Sequence, residues 1–146
     1  PSFRPFTTTE YGATFYHLVD RGTPEFNRRT VYRMNINSGK EPLLDALDCP
    51  DPSVRTPRRG VTTTPLQALG LMNSGFVQRQ ADHLARRALT LAANQPDEAV
   101  TQLWKLTLGR SPDVEESQMA RRTLRERGLP HVAWVLLNTT EFVYVR

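Results

Sequence analysis

Apolar residues recur at helical spacing through the last two thirds of the chain. In a helix predicted for residues 76–93, they form one stripe, and polar and charged residues lie outside it, namely Gln78, Arg79, Asp82, Arg86 and Arg87. The stripe consists of Val77, Ala81, Leu84, Ala88 and Leu91. This pattern is typical of an amphipathic helix that packs one face on a core. A last apolar element is predicted over residues 130–138, and a docked tail follows it at residues 139–142.

A capping box predicts a helix start at Thr64. Its hydroxyl can accept from the Gln67 backbone N–H, and the Gln67 side chain can accept from the Thr64 backbone N–H. Pro65 occupies the first helical position, where its missing N–H is not needed. These signals predict a helix that continues to about Asn73.

Two more helices have matching start and stop signals. One is predicted to begin at Pro96, with acidic residues in its first turn, and to stop at Gly109. The other has a second capping box, formed by Asp113 and Glu116, and is predicted to end at Gly128 after a basic last turn.

The first 60 residues hold seven of the eleven prolines and four of the eight glycines. We therefore expect a mostly irregular segment with two short helices, at residues 28–35 and 42–48. The predicted fold class is all-α: a bundle of four to five helices over residues 64–142, with the irregular, proline-rich N-terminal third packed over it. The length suits a single domain over residues 1–146, and the lack of an initiator Met indicates a C-terminal fragment of a larger protein.

Composition excludes several classes of protein. The longest apolar run has six residues, too short to span a bilayer. The net charge of +4 is evenly spread along the chain, which disfavours nucleic acid as a partner. Residues 64–93 could form a helix-turn-helix, but this segment lacks the basic stripe that DNA binding would need. Cys49 is the only cysteine, so neither an internal disulfide nor a multi-cysteine metal site can form.

Standard catalytic motifs are absent, and whether the chain belongs to an enzyme stays open. There is no nucleophile elbow, P-loop, zinc-protease motif or haem-attachment motif. The histidines, His17, His83 and His131, are far apart in sequence, so a metal site is unsupported. A structural position at the edge of the apolar stripe is the simplest interpretation of His83.

One proline-broken segment is rich in charged residues of both signs. Its acidic members are Asp45, Asp48 and Asp51, and the candidate anion-binding residues are Arg58 and Arg59, with Arg33 upstream. These arginines could present guanidinium groups to an anion near the helix that starts at Thr64. We favour the alternative that the charged side chains bond one another and the irregular backbone.

The residues at 44–51 (LDALDCPD), 58–59 (RR) and 63–73 (TTPLQALGLMN) resemble the C-terminal part of the planctomycete-specific domain family, domain of unknown function 1553. Supporting residues are Arg28 to Arg33, Phe76 and Val77, Leu108 to Pro112 with Glu116, Leu136 to Asn138, and Glu141 and Phe142. The resemblance implies a large exported bacterial protein, located in the periplasm or at the cell surface. Such proteins often carry a planctomycete-type cytochrome c domain, so any haem would belong to a separate domain, and no cofactor is expected in this fragment.

Two functions are compatible with these observations. The first is a non-catalytic helical packing or interaction module, whose partners are the upstream domains of the same parent chain. The alternative is part of a binding or active site for an anionic carbohydrate, completed by those upstream domains. It depends on the Arg33, Arg58 and Arg59 side chains and on the acidic cluster.

Overall fold

The computed structural model describes residues 3–7, 14–18, 42–49, 55, 57 and 64–144. The chain divides into two compact units, Pro1–Gly70 and Leu71–Arg146. We call them the N-terminal and C-terminal units.

A two-stranded hairpin lies at the start of the N-terminal unit. Strand β1 (Phe3–Thr7) pairs antiparallel with β2 (Thr14–Leu18), with Phe3 opposite Leu18. The sequence did not predict this hairpin, since Pro5 in β1 argues against a strand. Proline cannot donate to a ladder, but it is tolerated at a sheet edge, and both strands of a two-stranded sheet are edges.

The predicted short helix at residues 42–48 is confirmed as α1 (Pro42–Ala46). It ends where Asp48 adopts a positive φ of 55°, and the Cys49 backbone N–H donates to the Leu44 carbonyl at 2.9 Å. The other short helix, predicted at residues 28–35, lies outside the described residues. The next helix, α2 (Pro65–Asn73), begins at the predicted position.

The remaining helices confirm the all-α class. They are α3 (Gly75–Leu91), α4 (Pro96–Thr107), α5 (Val114–Arg127), α6 (Leu129–Leu137) and α7 (Thr140–Val143). In the C-terminal unit, α6 packs against α3, α4 and α5, and α4 also contacts α3 and α5. Within the described ranges, five helices have more than eight residues, as the sequence predicted, and the predicted docked tail contains the short helix α7.

Small side chains dominate the core contribution of α3. Ala81, Ala85 and Ala88 of α3 are buried, as is Ala92, the cap residue directly after the helix, whereas Leu91, which we predicted in the stripe, is 57% exposed. At 100° per residue, position 92 points within about 20° of position 81, but position 91 points about 80° away. The buried face therefore follows the alanines, and the prediction for Leu91 was wrong.

Two glycines end helices where the sequence predicted stops. Gly109 follows α4 with a φ of 70°, and Gly128 lies between α5 and α6 with a φ of 84°. Residues with a Cβ rarely adopt a positive φ, which is why glycine so often terminates helices. Among the described residues, no helix combines the length and apolarity that crossing a membrane requires.

Candidate functional site

The capping box predicted at Thr64 is confirmed and reaches into the acidic cluster. The Gln67 backbone N–H donates to Thr64 Oγ1, and the Thr64 backbone N–H donates to Gln67 Oε1, both at 3.3 Å. Among residues 43–49 and 64–144, Gln67 is the one buried polar residue, and its Nε2 donates to Asp48 Oδ2 at 2.9 Å. Asp48 is thereby bonded to the start of α2.

The other candidate residues are only partly covered by the structure. Asp45 is an exposed residue of α1. Asp51, Arg33, Arg58 and Arg59 lie outside the described residues. The two interpretations of the charged segment, an open anion site or mutual pairing, therefore stay predictions for these four side chains.

Arg110 forms an ion-pair network with Glu116 and Glu141, which we call the Arg110 clasp. Its Nη1 and Nη2 donate to the two carboxylate oxygens of Glu116 at 2.7 Å, and its Nε and Nη2 donate to those of Glu141 at 2.8 Å. A fifth bond runs from Nη1 to the Ser111 carbonyl at 3.2 Å. A guanidinium has five N–H donors, so these bonds match its whole donor capacity.

The charges of the clasp shift one another's protonation. Hydrogen bonds from Arg110, and then from the Asp113 backbone N–H, lower the pKa of Glu116 from 4.5 to about 2. Arg110 also lowers the pKa of Glu141, and the two glutamates raise the pKa of Arg110. All three side chains keep substantial solvent contact, between 29% and 49%, so water screens the Coulomb attraction between them.

Local structure positions each member of the clasp. Arg110 follows the helix-ending Gly109, and Glu116 is held by a capping box with Asp113, as predicted. Glu141 lies in the first turn of α7, whose N-cap Thr139 accepts from the Phe142 backbone N–H at 3.3 Å. The clasp thus joins three segments: the α4–α5 connection, the first turn of α5 and α7.

The C-terminal unit also has an open groove of about 410 Å³, which we call the α3–α6 groove. Residues that line it include Gln78, Asp82, Arg127, Pro130, His131 and Trp134. The His131 and Trp134 rings are in contact, with centroids 5.0 Å apart. The sequence did not predict this groove, because its residues come from three helices and no short motif connects them.

The structure describes few other groupings of reactive side chains. Within the described ranges, no three His, Cys, Asp or Glu residues gather closely enough to hold a metal ion. His83 is an exposed residue of α3, and its Nδ1 lies 3.2 Å from Arg86 Nη2. This contact joins adjacent turns of one helix.

Comparison with known proteins gives one finding. A family model described as "protein of unknown function (DUF1553)" matches residues 1–124. No curated protein and no solved structure is similar enough to this chain to give a match. The matched range includes α1 to α4, Arg110 and Glu116.

Proposed function

The chain belongs to the DUF1553 family of proteins of unknown function, and we propose that it acts as a helical packing or interaction module of a large exported multidomain protein. Its partners in this role are the upstream domains of the same parent chain. The best-defined polar side chains stabilise the chain itself: Thr64 and Gln67 start α2, and the clasp joins three segments.

The observation that carries this proposal is the use of every Arg110 donor inside the chain. An arginine that binds a substrate or anion needs free N–H groups directed at the ligand. Arg110 instead holds two carboxylates and a carbonyl, so its chemistry is that of a structural residue.

A stability measurement tests the structural role of Arg110. We expect Arg110→Ala to lower the free energy of unfolding more than Arg122→Ala does, measured by urea denaturation. Arg122 is the matched control, since it also bonds a glutamate at 2.8 Å, but that glutamate, Glu126, lies one turn away in the same helix. Equal losses in the two variants would contradict a structural role for the clasp.

Assembly in trans tests the function itself. The remainder of the parent chain, produced as a separate polypeptide, should form a one-to-one complex with the 146-residue chain in size-exclusion chromatography with light scattering. Two separate peaks at concentrations on the order of 10 μM would contradict a packing role.

A turnover assay separates this proposal from catalysis. The chain is incubated with sulfated and uronic-acid polysaccharides, and new reducing ends are measured. We expect none, and release of reducing ends that is lost on heating the protein would overturn the non-catalytic proposal. Anionic polysaccharide as a binding partner is a separate proposal, which would use Arg33, Arg58 and Arg59.

Export and a neighbouring cytochrome c domain complete the proposed context. Both are supported by the resemblance of the 44–73 region, not by a contact in the structure. We expect the parent reading frame to encode a signal peptide and the mature protein to fractionate with the periplasm or cell surface. Recovery in the cytoplasmic fraction would contradict this location.

A further inference from the structure

The α3–α6 groove combines aromatic surface with polar groups of both signs. We propose that it binds a sugar ring of a neutral polysaccharide. This role goes beyond packing and does not depend on it, because the groove and the Arg110 clasp share no residue.

The aromatic side chains that line the groove are held in place by contacts within the chain. Trp134 Nε1 donates to the Met72 carbonyl at 3.2 Å, so the one polar atom of the indole is already bonded. His131 packs beside the indole with an interplanar angle of 31°, and Pro130 adds further apolar surface. A pyranose ring has an apolar face of C–H groups that stacks on such a surface, and a pre-ordered ring loses little entropy on binding.

The polar groups of the groove are available to hydroxyl groups. Asp82 lies one turn after Gln78 on α3, and Arg127 is the last residue of α5. All three are exposed, and in the part of the chain that the structure describes neither the Asp82 nor the Arg127 side chain makes a hydrogen bond or ion pair. Arg127 has a Coulomb attraction to its neighbour Glu126. The groove therefore offers a carboxylate acceptor, guanidinium donors and an amide that can do both.

The opposite charges of Asp82 and Arg127 favour a ligand without net charge. An anion would be attracted by Arg127 but repelled by Asp82, and a cation would meet the opposite pair of forces. A purely apolar ligand would remove water from both charges without replacing their hydrogen bonds. The vicinal hydroxyls of a sugar donate to a carboxylate and accept from a guanidinium, so an uncharged saccharide satisfies both groups.

Nuclear magnetic resonance of the 15N-labelled chain provides the test. The probes are neutral hexasaccharides of β-linked glucose, xylose and mannose, with oligogalacturonate as the acidic comparison. The two tryptophans give two indole N–H signals. We expect at least one neutral probe to shift the Trp134 signal, with a Kd on the order of 0.1–1 mM, while the buried Trp104 signal stays in place.

Matched variants establish that binding uses the polar groups of the groove. Arg127→Gln and Asp82→Asn should each weaken binding about tenfold, since each removes a charged hydrogen-bonding partner at an exposed site. Arg125→Gln, an exposed arginine in the same last turn of α5 that does not line the groove, should leave the Kd within about twofold.

Three results would overturn the proposal. The first is no shift of the Trp134 signal with any neutral probe at about 10 mM. The second is binding by oligogalacturonate alone. The third is binding of a neutral probe that Arg127→Gln and Asp82→Asn leave unchanged, with native circular dichroism for all variants.

Discussion

At the scale of single residues, Gly109 and Gly128 both have positive φ values, but we expect replacement by alanine to destabilise the fold by different amounts. Gly128, at φ 84° and ψ 168°, lies in a region that is essentially restricted to glycine, so Gly128→Ala should cost about 1–3 kcal/mol. Gly109 has a φ of 70°, and an added Cβ there meets no atom within 4 Å, so Gly109→Ala should cost about 1 kcal/mol. Urea denaturation measures both, and a larger loss at Gly109 would contradict this ranking.

Glu116 makes stability depend on pH in the acidic range. Its pKa is about 2 in the folded chain against an ordinary 4.5, so its ionised form stabilises the fold above about pH 4.5. That contribution is lost as pH falls from 4.5 towards 2, because protonation then removes the charged bonds to Arg110. Glu116→Gln should therefore show a smaller loss of unfolding free energy between about pH 7 and about pH 3 than the parent chain.

The control for this experiment is Glu115→Gln, which removes a neighbouring exposed glutamate of the same first turn that is not part of the clasp. It should leave the pH dependence close to that of the parent. A Glu116→Gln variant with the full pH dependence would show that other carboxylates govern acid unfolding.

Residue-scale features were predictable where their partners are close in sequence. Both capping boxes join residues three positions apart, so Thr64 and Asp113 could be assigned from spacing alone. The bond between Arg110 and Glu141 spans 31 positions, and it depends on how the connection after α4 meets α7. Spacing carries no information about such a contact.

At the scale of whole elements, the start of α2 depends on the Thr64 cap. Thr64→Ala removes the acceptor of the Gln67 backbone N–H and should lower the free energy of unfolding by about 1 kcal/mol. Thr64→Ser keeps the hydroxyl oxygen and should retain most of the stability. Urea denaturation of the two variants checks this.

Thr63 provides a comparison one position before the cap. It lies outside the described residues, and the cap assignment predicts that Thr63→Ala costs less than Thr64→Ala. A larger loss at Thr63 would mean that the preceding segment, rather than the cap, governs stability here.

Helix bounds were predictable because start and stop residues coincide with the ends of the apolar pattern. The stops at Gly109 and Gly128 and the start at Pro96 all agree with the structure. The β1–β2 hairpin was not predictable in the same way, since its pairing joins residues across a six-residue connection and includes Pro5. The buried face of α3 was only partly predictable, because it is formed mainly by small alanines and leaves Leu91 exposed.

At the scale of the whole molecule, the described apolar core belongs to the C-terminal unit. Among residues 43–49, 55, 57 and 64–144, whose burial the structure describes, every buried hydrophobic residue lies between Val77 and Leu136. The groove is lined by residues of α3, α5 and α6, which all contribute to this core. The clasp combines Glu116 of α5 with Arg110 of the α4–α5 connection and Glu141 of α7, and α7 contributes no buried residue. Helix α5 is therefore the support that the two surfaces have in common.

The single-domain prediction for residues 1–146 is tested by unfolding each unit with its own probe. Trp104 and Trp134, the two tryptophans, report on the C-terminal unit, and a fluorophore on the exposed, sole cysteine, Cys49, reports on the N-terminal unit. If the chain is one cooperative domain, as its length predicts, the two signals should follow one guanidinium transition with the same midpoint. Separate midpoints would show that the units unfold independently. Leu103→Ala leaves a cavity at a fully buried core position of the C-terminal unit. If the chain is one cooperative domain, this variant should shift the midpoints of both signals by the same amount.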